Sequence, residues 1–281
     1  MPTFATPGPI DLAINLPVGA IEIVASDRTD TVVTVSPTNP DKAVDRRGAE
    51  ETTVEFSGDR LVIKGPRPRF SIIGPSESVD VKVELPSGSR LAAETSMGLV
   101  RSRGALGATR IKSSNADLDA VDNLWIRAMH GNVEVRSADG DVEITADHGQ
   151  IRIGTVTGDA LLKASHGAVT IGTAGGDVEA KLSYGDLEIG TAESSVTAKT
   201  AFGSVRVGEV ASGTVQLDTA FGQVHVGIRD GVSAWLDLAS KNGRVRNDLA
   251  TDSAPSATDS TVAVRARTDF GEITITRGAS K

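Results

Sequence analysis

Histidines recur at a fixed spacing in the middle of the chain. His130, His148 and His166 are each followed by a glycine and follow one another at an 18-residue step. Imidazole is a common ligand of zinc, nickel and copper, so this column could bind a metal. The same column continues, however, with Tyr184 and Phe202, which are not metal ligands. Rings repeated on parallel strands also point the same way instead of converging. We therefore expect a stacked aromatic ladder that seals one end of the core, and no metal site.

A second column consists of aspartates that follow glycine. Asp141, Asp159 and Asp177 have the same 18-residue step. Three carboxylates on successive strands could bind Ca²⁺. Aspartate after glycine is equally ordinary turn chemistry, in which the side chain bonds the local backbone. Calcium-binding nonapeptide repeats need further glycine and aspartate positions that this sequence lacks. We expect a turn role and no cofactor.

Basic residues form one further column, Lys163, Lys181 and Lys199, which we expect to face outward. Such a column either keeps a face hydrated or binds an anionic polymer. The formal net charge of −8 favours the first interpretation and disfavours nucleic-acid binding. We keep the three lysines as candidate partner-binding residues.

Residues 65–75 form the most unusual stretch outside the repeat. They place Arg67, Arg69 and Phe70 on a proline-rich loop. Arginine and aromatic side chains are frequent anchors of protein interfaces, so these residues are also candidates for binding a partner.

The motifs of catalysis do not occur in this sequence. It contains no phosphate-binding loop, no nucleophile elbow and no paired-histidine zinc helix. We predict no catalytic residues and a protein that is not an enzyme. Scattered surface carboxylates leave a polysaccharide-active β-helix enzyme as an alternative.

An internal repeat positions these columns. Its leading glycines keep the 18-residue step from Gly131 to Gly203, and the step to the next one, Gly222, is longer by a single position. After each comes an apolar–polar–apolar triplet, and a second such triplet stands midway through each repeat, as after Gly140. Alternation with period two predicts strands with one buried face. Stacking such units gives a continuous core.

The predicted fold is therefore all-β. We expect a single-stranded β-solenoid (β-helix) with 18-residue coils over residues 91–281, and an irregular N-terminal β-cap over residues 1–90. Val156, Ala174, Ala192 and Val210 leave open whether each coil has two walls or three. Residues 248–260 break the spacing and are predicted to be a loop inserted in the last coil. The strands at 262–264 and 273–275 would then cap the open edge.

The ends and the hydropathy of the chain bear on its location. It has no cysteine, no basic N-terminal region and no apolar run of the roughly 18 residues that a membrane span needs. We expect a cytoplasmic protein without membrane insertion.

One segment also resembles a known family. Residues 79–88, Val-Asp-Val-Lys-Val-Glu-Leu-Pro-Ser-Gly, are followed by recurring Ser/Thr-x-Gly-x-Val units. This pattern resembles a bacterial β-strand-repeat family of unknown function labelled "putative adhesin", best over residues 79–275. The resemblance implies a β-solenoid without catalytic residues and an extracellular binding role.

Taken together, these patterns favour a non-catalytic scaffold or protein-interaction module. It would act through a protein partner or through self-association. An adhesin-like protein that binds carbohydrate or a surface is the first alternative, and the polysaccharide-active enzyme is the second.

Overall fold

The computed structural model describes residues 2–66, 77–249 and 261–278. The chain forms two compact units, Met1–Asp139 and Gly140–Lys281. Each unit consists of two sheets, called sheet A and sheet B below, that are built mostly from parallel strands. The all-β prediction is confirmed. Among the described residues, no helix has the length and apolarity that crossing a membrane requires.

The N-terminal unit begins with strands whose order in space differs from their order in the chain. Its elements are β1 (Thr3–Ala5), β2 (Asp11–Asn15), β3 (Val18–Ser26), β4 (Asp30–Pro37), α1 (Ala43–Glu51), β5 (Thr53–Ser57), β6 (Arg60–Lys64), β7 (Val79–Pro86), β8 (Arg90–Glu94), β9 (Met97–Arg103), β10 (Ala105–Leu106), β11 (Thr109–Ser113), β12 (Asn115–Val121), β13 (Leu124–His130) and β14 (Val133–Ala138).

In this unit, sheet A has the order β1-β4-β7-β3-β9-β12-β14 and sheet B the order β5-β6-β2-β8-β11-β13, with β10 beside β12. We call each sheet B strand and the sheet A strand that follows it a rung. The first rung in sequence, β2/β3, therefore lies between β6/β7 and β8/β9 and pairs with both in parallel.

Antiparallel strands cover the outer edge of the N-terminal unit. Strand β4 pairs with β7, β1 pairs with β4, and β5 pairs with β6. Covering an edge in this way protects its backbone groups from pairing with another chain. Two parallel rungs thus fall within residues 1–90, where the sequence predicts an irregular cap. The division of the chain at residue 90 stays a prediction.

The C-terminal unit contains the clearest repeat. Its strands are β15 (Val142–His148), β16 (Ile151–Val156), β17 (Ala160–His166), β18 (Val169–Ala174), β19 (Val178–Tyr184), β20 (Leu187–Ala192), β21 (Val196–Phe202), β22 (Val205–Val210), β23 (Gly213–Phe221), β24 (Val224–Ile228), β25 (Ser233–Asn242), β26 (Val245–Asn247), β27 (Thr261–Phe270) and β28 (Ile273–Arg277).

Alternating burial explains why these segments form strands. Ile151 and Ile153 are at most 2% exposed, whereas Arg152 between them is exposed. The same alternation recurs one strand along, since Ile153 and Ile171, one repeat apart in the chain, are register partners. Each apolar side chain therefore packs in a column, and the columns of the two sheets form the core.

The proposed third wall belongs to sheet A. Val156, Ala174, Ala192 and Val210 are at most 1% exposed, and they pair in register at the ends of the sheet A strands. The described residues of this unit form two sheets. These four side chains extend the buried face of one of them.

The last rungs correct one expectation. In sheet B the spatial order is β21-β23-β27-β25, and in sheet A it is β22-β24-β28-β26. The strands at 262–264 and 273–275 were expected at the open edge, but they lie one rung inside it. The rung β25/β26 lies at the end instead. Most of the expected inserted loop, residues 250–260, lies outside the described residues.

Candidate interaction surface

Six rings stack along one side of the C-terminal unit. Neighbouring ring centroids are 4.7–5.0 Å apart, and neighbouring planes differ by 1–13°. We call this set the aromatic ladder; it comprises His148, His166, Tyr184, Phe202, Phe221 and Phe270. The stacked arrangement expected from the sequence is confirmed. His130, the first residue of the predicted column, ends β13 in the N-terminal unit.

The ladder is a surface feature. Tyr184, Phe202, Phe221 and Phe270 are 43–50% exposed. The expectation that the ladder seals one end of the core stays a prediction. Each ring sits at the end of a strand, beyond the last inward position. Stacking covers the ring faces, and it is the ring edges that form an exposed apolar strip. The strip from Tyr184 to Phe270 spans three strand spacings, about 15 Å.

A glycine after each ring lets the turns stack this closely. Gly185, which follows Tyr184, has a φ of +149°, and Gly203, which follows Phe202, has a φ of +148°. A side chain at Gly185 would overlap the carbonyl oxygen of Gly167 in the preceding rung. Glycine is required here because only it combines this backbone conformation with so close an approach.

Buried threonines tie the later turns of the ladder together. Thr219, two residues before Phe221, donates its hydroxyl hydrogen to the carbonyl oxygen of Gly203, with 3.0 Å between the two oxygens. Thr268, two residues before Phe270, makes the same 3.0 Å bond to Gly222. Strand β27 thus continues the ladder directly after β23. A buried hydroxyl that is satisfied in this way holds the turn in register.

The lysine column, Lys163, Lys181 and Lys199, lies on strands that also carry rings of the ladder. The three residues are register partners on β17, β19 and β21, and all are exposed. Lys181 Nζ lies 2.6 Å from Glu179 Oε1. This hydrogen bond, with the charge of Lys181 and more weakly that of Lys163, lowers the pKa of the Glu179 carboxyl. In the described part of the chain, Lys163 and Lys199 have no ion-pair partner, and they remain available to a ligand.

Short side chains separate the lysines from the rings. They occupy the next outward position on each strand, as in Ser165, Ser183 and Ala201. We call the lysine column and the aromatic ladder, with the short side chains between them along the strands, the interaction surface. These short side chains could have been found in the sequence, since a serine or alanine stands two residues after each of the three lysines.

The aspartate column takes the turn role that the sequence predicts, with a different partner. Asp141 Oδ1 accepts a 2.9 Å hydrogen bond from the backbone N–H of Asp159, and Asp159 Oδ1 accepts one of 2.8 Å from Asp177. Each of these two carboxylates therefore accepts a hydrogen bond from the backbone of the next rung and not from its own local backbone. The Ser194 hydroxyl, 2.6 Å away, lowers the pKa of Asp177. In residues 2–66, 77–249 and 261–278, no three histidine or acidic side chains group as metal ligands would.

The other predicted partner residues cannot be placed on this surface. Arg67, Arg69 and Phe70 lie outside the described residues. Their role in binding a partner stays a prediction.

The model of one protein family, Toastrack DUF4097, matches residues 11–276. The chain belongs to the Toastrack DUF4097 family. This confirms the family resemblance found in the sequence. The match spans both units of this Toastrack chain, including the interaction surface. No protein of curated function matches it.

Solved structures similar to this Toastrack chain share little of its sequence. A putative adhesin from Bacteroides fragilis is 11% identical, with 98% of this chain and 95% of that chain covered and a TM-score of 0.35. A putative adhesin from Parabacteroides merdae is 13% identical, with 98% and 94% covered and a TM-score of 0.31. A putative lipid binding protein from Parabacteroides distasonis is 9% identical, with 96% and 95% covered and a TM-score of 0.34. At these TM-scores the likenesses carry no information on what the Toastrack chain binds.

Proposed function

We propose that this Toastrack chain is a non-catalytic interaction module that binds a protein partner through the interaction surface. The observation that carries the proposal is the half-exposed aromatic ladder. We also propose that the repeat winds as a single-stranded β-solenoid with 18-residue coils. The constant register from β15 to β21 supports this. The cytoplasmic location predicted from the sequence stays a prediction.

The distribution of aromatic residues supports a binding role. The chain has six Phe, one Tyr and two Trp. Four of these nine stand together in the strip from Tyr184 to Phe270, each 43–50% exposed. A chain with so few aromatic residues would bury them if they served only the core. A contiguous exposed apolar strip is typical of a site that another molecule covers.

The arrangement of charges favours a protein with acidic and apolar side chains. The lysine column runs parallel to the ring edges, and its spacing equals the spacing of the strands. An extended acidic segment that crosses these strands could contact both the lysines and the ring edges. Aromatic anchors beside complementary charges are the usual composition of an interface centre.

Two features argue against the alternative functions. Sugars are usually bound on the open face of an aromatic ring, whereas here each inner ring has both faces covered by neighbours at 4.7–5.0 Å. Catalysis needs different groups that converge on one reacting atom. The columns of this surface instead repeat the same group in the same direction. A protein partner, which contacts edges and charges along a line, suits the surface better.

The test is a comparison of matched variants. The double variant Phe202→Ser, Phe221→Ser removes the middle of the ladder, and Trp235→Ser removes an aromatic side chain that is 64% exposed on β25. Each protein is immobilised and used to capture partners from an extract of the source cell, and its self-association is followed by light scattering over a wide concentration range. We expect the double variant to lose a partner, or a self-association, that the wild type and Trp235→Ser retain. If all three proteins behave alike while circular dichroism shows them folded, the proposal is wrong.

A further inference from the structure

The outer face of sheet B in the N-terminal unit contains a shallow depression that the interaction surface does not involve. Its volume is about 370 Å³, within the range of small-molecule sites. Val62, Ala13 and Ala92 form its floor, because they are register partners on the adjacent strands β6, β2 and β8. Small side chains on three neighbouring strands leave room above the sheet between the longer side chains on either side.

Basic side chains stand on both sides of this floor. Arg60 and Lys64 on β6 line one side, and Arg110 and Lys112 on β11 line the other, all four exposed. Strands β6 and β11 are three strand spacings apart, or about 14 Å. Of the described residues, Glu94 is the one carboxylate in the lining, and it lies 3.9 Å from Lys112. A chain with a net charge of −8 thus concentrates positive charge around one apolar floor.

The basic side chains around the floor differ in whether they already contact another group of the protein. Arg110 lies over the Trp125 ring, with 3.7 Å from the guanidinium carbon to the ring centroid. Stacking of this kind fixes a guanidinium and leaves its N–H groups free to bond an anion in its plane. Across the described residues, Arg60 and Lys64 have no ion-pair partner. By contrast, Arg90, which lines a neighbouring depression, is held in a two-pronged pair with Asp11.

We infer that this depression binds a small organic anion, in which an apolar body of about ring size carries a carboxylate, sulfonate or phosphate group. The apolar body would cover Ala13 and Ala92, and the anionic group would be bonded by Arg60 and Lys64 or by Arg110. Charged hydrogen bonds at the rim give orientation, while burial of the floor gives affinity. This site and the interaction surface belong to different units, so either proposal can fail without the other.

The experiment uses three probes on the full chain. They are naphthalene-2-sulfonate, which has body and charge, 2-naphthylmethylammonium, which has the body with the opposite charge, and inorganic sulfate, which has the charge alone. Binding is measured by calorimetry and by the shift of the Trp125 indole N–H resonance, which Trp235→Phe assigns because the chain has two tryptophans. We expect naphthalene-2-sulfonate to bind at one site and to shift the Trp125 resonance, and the other two probes to bind at least about tenfold more weakly.

Matched variants locate the site. Arg60→Ser with Lys64→Ser removes one rim, and Ala92→Leu fills the floor without changing charge. Arg152→Ser with Arg244→Ser makes the same change in net charge in the other unit, at exposed residues that are not part of the interaction surface. We expect the first two proteins to bind naphthalene-2-sulfonate about tenfold more weakly than wild type, and the third to bind it like wild type. Equal binding by all the proteins, equal binding of the three probes, or equal losses in the rim and control variants would each overturn the inference.

Discussion

Replacing Gly185 with alanine tests whether the close stacking of turns holds the repeat together. Gly185 has a φ of +149°, and a Cβ atom there would overlap the carbonyl oxygen of Gly167 and lie 2.6 Å from its carbonyl carbon. Both obstructing atoms belong to the backbone, so no side chain can move aside. To relieve the overlap, the two rungs must separate, which strains the 2.9 Å hydrogen bond from the Gly167 N–H to the Tyr184 carbonyl.

The expected loss of stability has two parts. An alanine held at a positive φ costs about 1–3 kcal/mol, and the steric overlap adds about 1–3 kcal/mol. The total of roughly 2–6 kcal/mol is a large share of the roughly 5–15 kcal/mol that stabilises a typical domain. Gly231 offers a matched control in the same unit, since its φ is +79° and no atom lies within 4 Å of the position that a Cβ would occupy. We expect Gly231→Ala to lose only the backbone part, about 1–3 kcal/mol.

Urea unfolding followed by circular dichroism measures both losses. The midpoints are converted to free energies with a common slope, provided that the slopes of the three proteins agree. A change of slope in one variant would itself show that part of the stack unfolds separately, as happens when cooperativity between repeats is lost. The reasoning is refuted if Gly185→Ala and Gly231→Ala lose the same free energy, because the overlap with Gly167 would then cost nothing.

Two further predictions concern the core and the pH dependence of stability. Ile189 is fully buried, so Ile189→Asp should lower the free energy of unfolding by at least about 4 kcal/mol, because it places an unpaired carboxylate in the stack. The neighbouring control Glu188→Asp should change the melting temperature little. Similar melting temperatures for both variants would contradict the inward position of Ile189. Burial, and then the charge of Arg206, lowers the pKa of His225 below its ordinary 6.5. The unfolded chain therefore takes up the proton more readily than the native one, and stability falls as the pH drops below 6.5. His225→Gln should lose less melting temperature than wild type between about pH 8 and about pH 5, and parallel losses would count against this cause.

The buried face of the repeat could be predicted because it depends only on local alternation. Ile153 and Ile189 are inward by period two, and both are at most 2% exposed. The ladder could be predicted for a similar reason, since a constant 18-residue step places rings on successive strands. That the rings are exposed could not be predicted. The alternation fixes the side of a strand on which a residue lies, but the ring follows the last inward residue, where the chain already turns.

The order of the last rungs could not be predicted from spacing. Parallel strands in a stack have the same alternating pattern wherever they lie, so the pattern does not tell which rung is a neighbour. One signal was present in the side chains. Thr268 and Phe270 repeat the pair Thr219 and Phe221, whereas the corresponding position on β25 is Asn242, which has no ring to stack. Matching side-chain columns, instead of counting residues, would have placed β27 beside β23.

The basic depression could not be predicted from the sequence for a related reason. Arg60 and Arg110 are far apart in the chain, and Arg60 lies in a region that does not follow the 18-residue step. Their proximity depends on the insertion of β2/β3 between β6/β7 and β8/β9, which no local pattern encodes. Long-range order of this kind is set by which edges pair and not by the propensity of any strand.

The insertion of a rung near each end of the chain bears on how the two surfaces are kept rigid. In a linear stack, the terminal rung has one neighbour and opens most readily. Here β2/β3 and β27/β28, the rungs nearest the chain ends, each lie between two neighbours. Phe270, the last ring of the ladder, is therefore carried by a strand that is hydrogen-bonded on both sides. In the same way, Ala13 on the floor of the depression lies on a strand held by β6 and β8. This order of strands places the rung that opens most readily away from both sites. A ligand that binds to a rigid backbone does not have to order that backbone first.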